Sequence, residues 1–167
     1  MQAVGNLLEL SEIGRDRMCL RWVSAAEGQL FADYVKEYSD VIQDMGPFNP
    51  VEFKMPLTAV ATALSTRRIR WMLGMETKLT KEGNVYNETL KEDDYQKAML
   101  TVIEEEYHDG LILEALSDGP RAVKDIAMQT GLQVYKVSQR LVNLEQHSQA
   151  AFVDYKGSTP QFIRTER

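Results

Sequence analysis

The chain has 167 residues, 19 Lys and Arg against 25 Asp and Glu, a net charge of −6 and 44% hydrophobic residues. That length and composition suit one or two globular domains, and the negative balance disfavours generic polyanion binding, because the chain as a whole repels phosphate backbones. With one cysteine, no apolar run near the ~20 residues of a bilayer span, and no basic n-region leading into an apolar h-region, a disulfide scaffold is excluded within one chain and the cytoplasm is the expected location.

The first residues read as the inside of a helix, with Met1, Val4, Leu7 and Leu8 at helical spacing. Residues 17–23 follow as an expected short strand, since Met18, Leu20 and Trp22 alternate with Cys19, Arg21 and Val23. Ser24 and Glu27 stand at capping-box spacing: the hydroxyl accepts from the N3 amide and the carboxylate reaches back to the N-cap amide. Beyond them Leu30, Phe31, Tyr34, Val35, Tyr38, Val41, Ile42 and Met45 predict one amphipathic helix over 27–45, ended by Gly46-Pro47. Strand, cap and helix make half of a domain, so the Phe31, Tyr34, Tyr38 stripe is expected to seek another surface.

The stretch Arg17-Met-Cys-Leu-Arg-Trp-Val-Ser-Ala-Ala-Glu-Gly28 through Asp44-Met45-Gly46-Pro47, with Leu7-Leu-Glu-Leu-Ser-Glu-Ile-Gly14 before it, resembles the C-terminal part of the delta subunit of methyl-viologen-reducing hydrogenase. The resemblance covers about residues 1–47. It implies an iron–sulfur subunit passing electrons between a hydrogenase or formate dehydrogenase and the flavin subunit of a heterodisulfide-reductase-type complex. Arg21, Trp22, Ser24 and Glu27 are its carry-over positions, expected to hold the domain and its partner surface. The family's cysteine-rich first half would lie before Met1. Met1 is therefore expected to be an artefactual or alternative start, as when an upstream selenocysteine codon is read as a stop. Within this sequence Cys19 is the sole thiol, whereas a cluster takes four thiolates; no cofactor is expected here, and an iron–sulfur cluster belongs to a full-length member. Nor do His108 and His147 have metal-site spacing. Cys19 is expected to be a small buried hydrophobe.

Gly46-Pro47-Phe48-Asn49-Pro50 sets an extended connector, and residues 48–92 are expected to be a helical linker region. Pro56 suits a first helical turn, and Leu57, Val60, Ala61, Leu64, Ile69, Met72 and Leu73 continue a helical pattern. In its middle, Arg67, Arg68, Arg70 and Trp71 read either as a solvated face with Arg stems on the indole or as a docking patch for an acidic partner or nucleic acid. Residues 78–92 are polar and expected to be a loop.

From Asp93, Tyr95, Ala98, Met99, Val102 and Ile103 predict a helix continuing through Leu111, Ile112, Leu113 and Leu116 to Asp118-Gly119-Pro120. Glu104, Glu105 and Glu106 are expected to be a solvated face, because consecutive helical carboxylates point in different directions. Residues 123–130 and 133–147 then predict two helices about a tight turn at Gly131-Leu132. Small Ala127, Gly131 and space-filling Val137 match the spacing of helix-turn-helix proteins. Strands over 151–155 and 160–164 follow around Lys156-Gly157-Ser158-Thr159. The region from about Glu105 to Arg164 resembles a winged helix, and its domain is expected to span 93–167.

The helical register places Gln133, Lys136, Gln139, Arg140 and Asn143 outward on the second helix, with Lys156 on the wing. Of these, Lys136, Gln139, Arg140, Asn143 and Lys156 are the nucleic-acid candidates. Residues 118–167 hold seven cations against five anions, a surplus short of a dense basic stripe. No Gly-rich phosphate loop or paired-carboxylate spacing appears, and Ser24 has a capping role without a nearby histidine, so no self-contained catalytic site is expected. The expected fold class is α+β, mainly α: a truncated hydrogenase-delta-like α/β segment (1–47), a helical linker and a C-terminal winged helix. The expected function is that of an electron-transfer subunit, or its C-terminal remnant, of a cytoplasmic hydrogenase- or heterodisulfide-reductase-type complex, with the winged helix as a docking or regulatory module. Its runner-up is a DNA-binding regulator, and a homodimer is a further expected association.

Overall fold

The computed structural model describes residues 2–165. The fold is α+β and mainly α, with one three-stranded antiparallel sheet among the described residues. The chain divides into two compact units, Met1–Lys54 and Met55–Arg167. Met1, expected above to be an alternative start, and the last two residues of the expected 93–167 domain lie outside the described residues.

In the first unit, α1 (Gln2–Leu10) buries Ala3, Leu7 and Leu8 on one face. A 3-10 turn at Arg15–Arg17 leads into residues 18–27. The expected strand over 17–23 is not formed. Met18 is extended, but no neighbouring strand bonds to this segment, and alternation without a ladder leaves only an extended chain. Its side chains do not alternate in and out: Leu20 is half exposed, Trp22 is 87% exposed, and Cys19 is exposed rather than buried as expected. Helix α2 (Gly28–Met45) begins after Glu27 and ends where Gly46 takes a φ of 72°. Arg17 caps it, its guanidinium donating to the carbonyls of Met45 at 3.2 Å and Gly46 at 3.3 Å.

The second unit takes in most of the stretch expected to be a linker. What reads as one irregular helix is two, α3 (Lys54–Ser65) and α4 (Arg67–Thr77). Thr66 separates them: extended at ψ 146°, it accepts from the Ile69 amide at 3.4 Å while its hydroxyl donates to Ala63 at 2.8 Å. Part of the expected loop is also helical, as a π turn at Lys78–Glu82 closed by Gly83 N–H on the Lys78 carbonyl at 2.9 Å.

Helix α5 (Glu92–Ala115) is the spine of this unit. Near its start the buried Tyr95 donates from its hydroxyl to the Met72 carbonyl at 2.9 Å, joining α4 to α5. Further on, Gly110 meets Ala59 of α3; a Cβ at 110 would stand 2.8 Å from the Ala59 carbonyl oxygen. Beyond α5 come β1 (Arg121–Ala122), α6 (Val123–Thr130), α7 (Val134–Gln146), β2 (Ala150–Lys156) and β3 (Thr159–Arg164). The α6–α7 turn falls at Gly131, whose φ of 72° is strained for any residue with a Cβ. Strand β3 lies between β1 and β2, with Ala122 opposite Gln161 and Phe152 opposite Phe162. The β2–β3 hairpin turns at Gly157, φ 66°, and carries an irregularity between Phe152 and Asp154. Ile112, Leu116, Ile126, Val137, Leu141 and Leu144 form the core joining α5, α6 and α7, and Phe162 packs against it from the hairpin.

Candidate functional site

The α7 face expected to be outward carries a charged layer against α5. Lys136 and Arg140 stand four apart on α7, so they share a face, and α5 repeats the spacing in Glu104–His108 and Glu105–Asp109. Opposite charges at one period on two packed helices can pair in register. Lys136 Nζ lies 2.7 Å from Glu104 Oε1. Arg140 donates from Nε to Asp109 Oδ1 at 2.7 Å and from its terminal nitrogen to Oδ2, a two-pronged bond, and lies 3.7 Å from Glu105. From α4, Arg68 pairs with Glu105 and lies 3.6 Å from Glu106.

These contacts correct two expectations. Arg140 is buried at 8% exposure, because the Asp109 carboxylate draws its guanidinium between the helices. The Glu104–Glu106 run is an internal partner for cations rather than a solvated face, and Glu106 is half-buried. Hydrogen bonding from Lys136 holds the Glu104 carboxyl below its usual range. Burial, together with the Asp109 charge, pushes Glu106 up, and burial pushes Asp109 up against the opposing bonds from Arg140. Burial and the Lys136 charge push the His108 imidazole down, although Glu104 lies 4.0 Å away.

Of the remaining α7 and hairpin candidates, Gln139 and Lys156 are exposed, and Asn143 is half-buried, its carbonyl 2.7 Å from His147 Nδ1. Arg67, Arg70 and Trp71 are exposed on α4, whereas Arg68 is tied to α5. In the first unit, Arg21 lies 3.3 Å from Glu37 and 4.9 Å from the Tyr34 ring centroid. Glu27 accepts from the Ser24 amide at 3.0 Å, and Ser24 Oγ accepts from the Ala26 amide at 3.4 Å. The reciprocal bonding expected of these two is thus half made, one turn ahead of the first residue of α2.

Glu104 and Asp109, the acidic members of the layer, pair with Lys136 and Arg140 and lie outside the candidate site residues read from the sequence. The four-residue spacings on α5 and α7 set which charges share a face, and the packing of the two helices pairs them. Among the described residues no group of three or more His, Cys, Asp or Glu side chains is placed to hold a metal ion. An iron–sulfur cluster does not fit this donor set: Cys19 supplies one exposed thiol where four are needed. Among the described residues, no helix is long and apolar enough to cross a membrane. Comparison of the chain with protein families, with curated proteins and with solved structures finds no match.

Proposed function

We propose that this chain is a docking subunit, related to the C-terminal part of hydrogenase-delta electron-transfer subunits, of a cytoplasmic hydrogenase- or heterodisulfide-reductase-type complex. In this proposal residues 93–167 are a winged helix used for protein contact. The observation that supports it is the pairing of Lys136 with Glu104 and of Arg140 with Asp109. A DNA reader needs those two cations free for phosphates and base edges. Here their charge is already matched, and each would have to break an internal ion pair to engage a duplex. The partners are a hydrogenase or formate dehydrogenase and a heterodisulfide-reductase flavin subunit, and an iron–sulfur cluster belongs to a full-length family member.

The test is twofold. Fluorescence anisotropy of the intact chain on labelled duplexes should give binding no tighter than roughly micromolar at physiological salt. Mixing with a purified heterodisulfide-reductase flavin subunit should give a stoichiometric complex on size exclusion. A nanomolar, sequence-selective duplex complex lost on Gln139→Ala and Lys156→Ala would reverse the assignment in favour of a regulator.

A further inference from the structure

The second unit holds an open cleft of about 1580 Å³ between the α3–α4 pair on one side and α5, α7 and the end of β3 on the other. Its floor is the charged layer already described, where Arg68 and Arg140 are matched by Glu105 and Asp109. Its rim is different. Arg67, Arg70 and Arg164 also line the cleft, all three are exposed, and none forms an ion pair among the described residues. Arg67 and Arg70 are three apart on α4, and Trp71 is four from Arg67, so the three occupy one helical face. Trp71 is 55% exposed into the cleft. The wall of α3 is polar, with Thr58, Thr62 and Ser65 at helical spacing.

We infer that this cleft is the seat for an acidic peptide segment of a partner protein, with Arg67, Arg70 and Arg164 meeting its carboxylates and Trp71 covering an apolar side chain between them. This deepens the docking proposal and rests on it. Charge decides the class of ligand. Rim cations that form no ion pair among the described residues keep their attraction for anions, and arginine forks match carboxylates in bidentate pairs. A nucleic-acid strand would lay a continuous row of phosphates over a floor whose three carboxylates, Glu105, Glu106 and Asp109, outnumber its two cations, Arg68 and Arg140. A peptide can place its carboxylates at the rim and leave neutral residues over the floor. An exposed indole beside arginines is also the composition enriched at protein interfaces.

The experiment uses the intact chain and three fluorescein-labelled probes: a 12-residue peptide of Glu and Leu, a Lys and Leu peptide of the same length, and a 12-nucleotide oligo-dT. Anisotropy should show saturable binding of the acidic peptide alone, weakened by salt. The double substitution Arg67→Glu and Arg70→Glu should weaken it about tenfold or more, because attraction becomes repulsion. Trp71→Ala should weaken it too, while Lys124→Glu on α6, away from the cleft, should leave it unchanged. Both arginines are exposed and sit in the first turns of α4, where acidic residues favour the helix dipole, and an unchanged thermal melt confirms that the variant is folded. No acidic-peptide binding, an equal loss on Lys124→Glu, or tighter binding of oligo-dT that disappears with Arg67 and Arg70 would each overturn the inference. Failure of the cleft is distinguishable from failure of the docking proposal. A flavin-subunit complex that survives the double substitution overturns the first alone, and absence of any such complex overturns the second.

Discussion

Arg140 of α7 grips both carboxylate oxygens of Asp109 on α5, with Nε 2.7 Å from Oδ1, and this bond turns a residue suited to DNA phosphates into a buried strut. Removing one member leaves a charge stranded in the helix interface. Arg140→Ala is expected to cost about 3 kcal/mol, near the lower end for a broken buried pair because some solvent still reaches the site. The double variant Asp109→Leu with Arg140→Met should recover much of that loss, since apolar groups of similar size need no counter-charge. Urea denaturation of Arg140→Ala and of the four members of the Asp109→Leu, Arg140→Met cycle measures both effects.

The α3–α5 contact at Gly110 gives an opposite pair of glycine substitutions. Alanine at 110 would set its methyl 2.8 Å from the Ala59 carbonyl oxygen and 2.9 Å from the Ala59 Cα, both backbone atoms that cannot move aside. Gly110→Ala should therefore destabilise by about 2 kcal/mol, as overpacking outweighs the gain in helix propensity. In α4, Gly74 is exposed, and a methyl placed on it would meet nothing within 4 Å. Gly74→Ala should raise stability by up to about 1 kcal/mol. Thermal unfolding of the two variants beside the parent checks the signs.

Legibility from sequence follows locality. The α6–α7 pair and its turn are readable because Ile126, Val137, Leu141 and Leu144 repeat at helical spacing around Gly131, and all four are buried as that spacing requires. The hairpin is readable because Gly157 stands at its turn. Residues 17–23 mislead because alternation is a property of the chain, whereas a strand needs a neighbour to bond with. The break at Thr66 shows in the sequence only as an irregular five-residue step from Leu64 to Ile69, and in the fold the threonine hydroxyl bonds mark it. The charged layer is invisible for a further reason: spacing within α5 says which carboxylates share a face, and the tertiary packing decides which cations lie opposite.

Acid should change the stability of the second unit in two stages, a loss caused by His108 and then a lower stage in which its carboxylates act with opposing signs. The folded-state pKa of His108 lies below its ordinary value of 6.5, because burial disfavours the imidazolium. Below pH 6.5 the unfolded chain therefore binds a proton that the folded chain refuses. Stability present above that pH is lost as pH falls, until the lowered folded value is passed. Glu104 is lowered as well, so its contribution is present above 4.5 and lost as pH falls below it. Glu106 and Asp109 are raised and act with the reverse sign, favouring the fold as pH drops toward their ordinary values of 4.5 and 3.8. His108→Gln should therefore flatten the parent's decline just below pH 6.5 and leave the lower stage in place. Denaturation midpoints at intervals from pH 7.5 to about 4 resolve the two stages.

Helix α2 has no buried residue along its length, and Phe31 and Val35, four apart, share one exposed face of it. Phe31 is 60% exposed, which leaves a large aromatic surface in water, and grouped side chains of this kind mark surfaces that associate. Tyr34 lies beside them but is partly occupied, because the Arg21 guanidinium covers its ring at 4.9 Å. Association through this helix therefore leans on Phe31 and Val35 more than on Tyr34. The intact chain is expected to self-associate as its concentration rises, and Phe31→Ser should shift it toward monomer more than Tyr34→Ser. Sedimentation velocity over a hundredfold range of concentration, roughly 1 to 100 μM, spans the weak affinities typical of small exposed patches. A monomer throughout that range, unchanged by Phe31→Ser, would exclude self-association through this face.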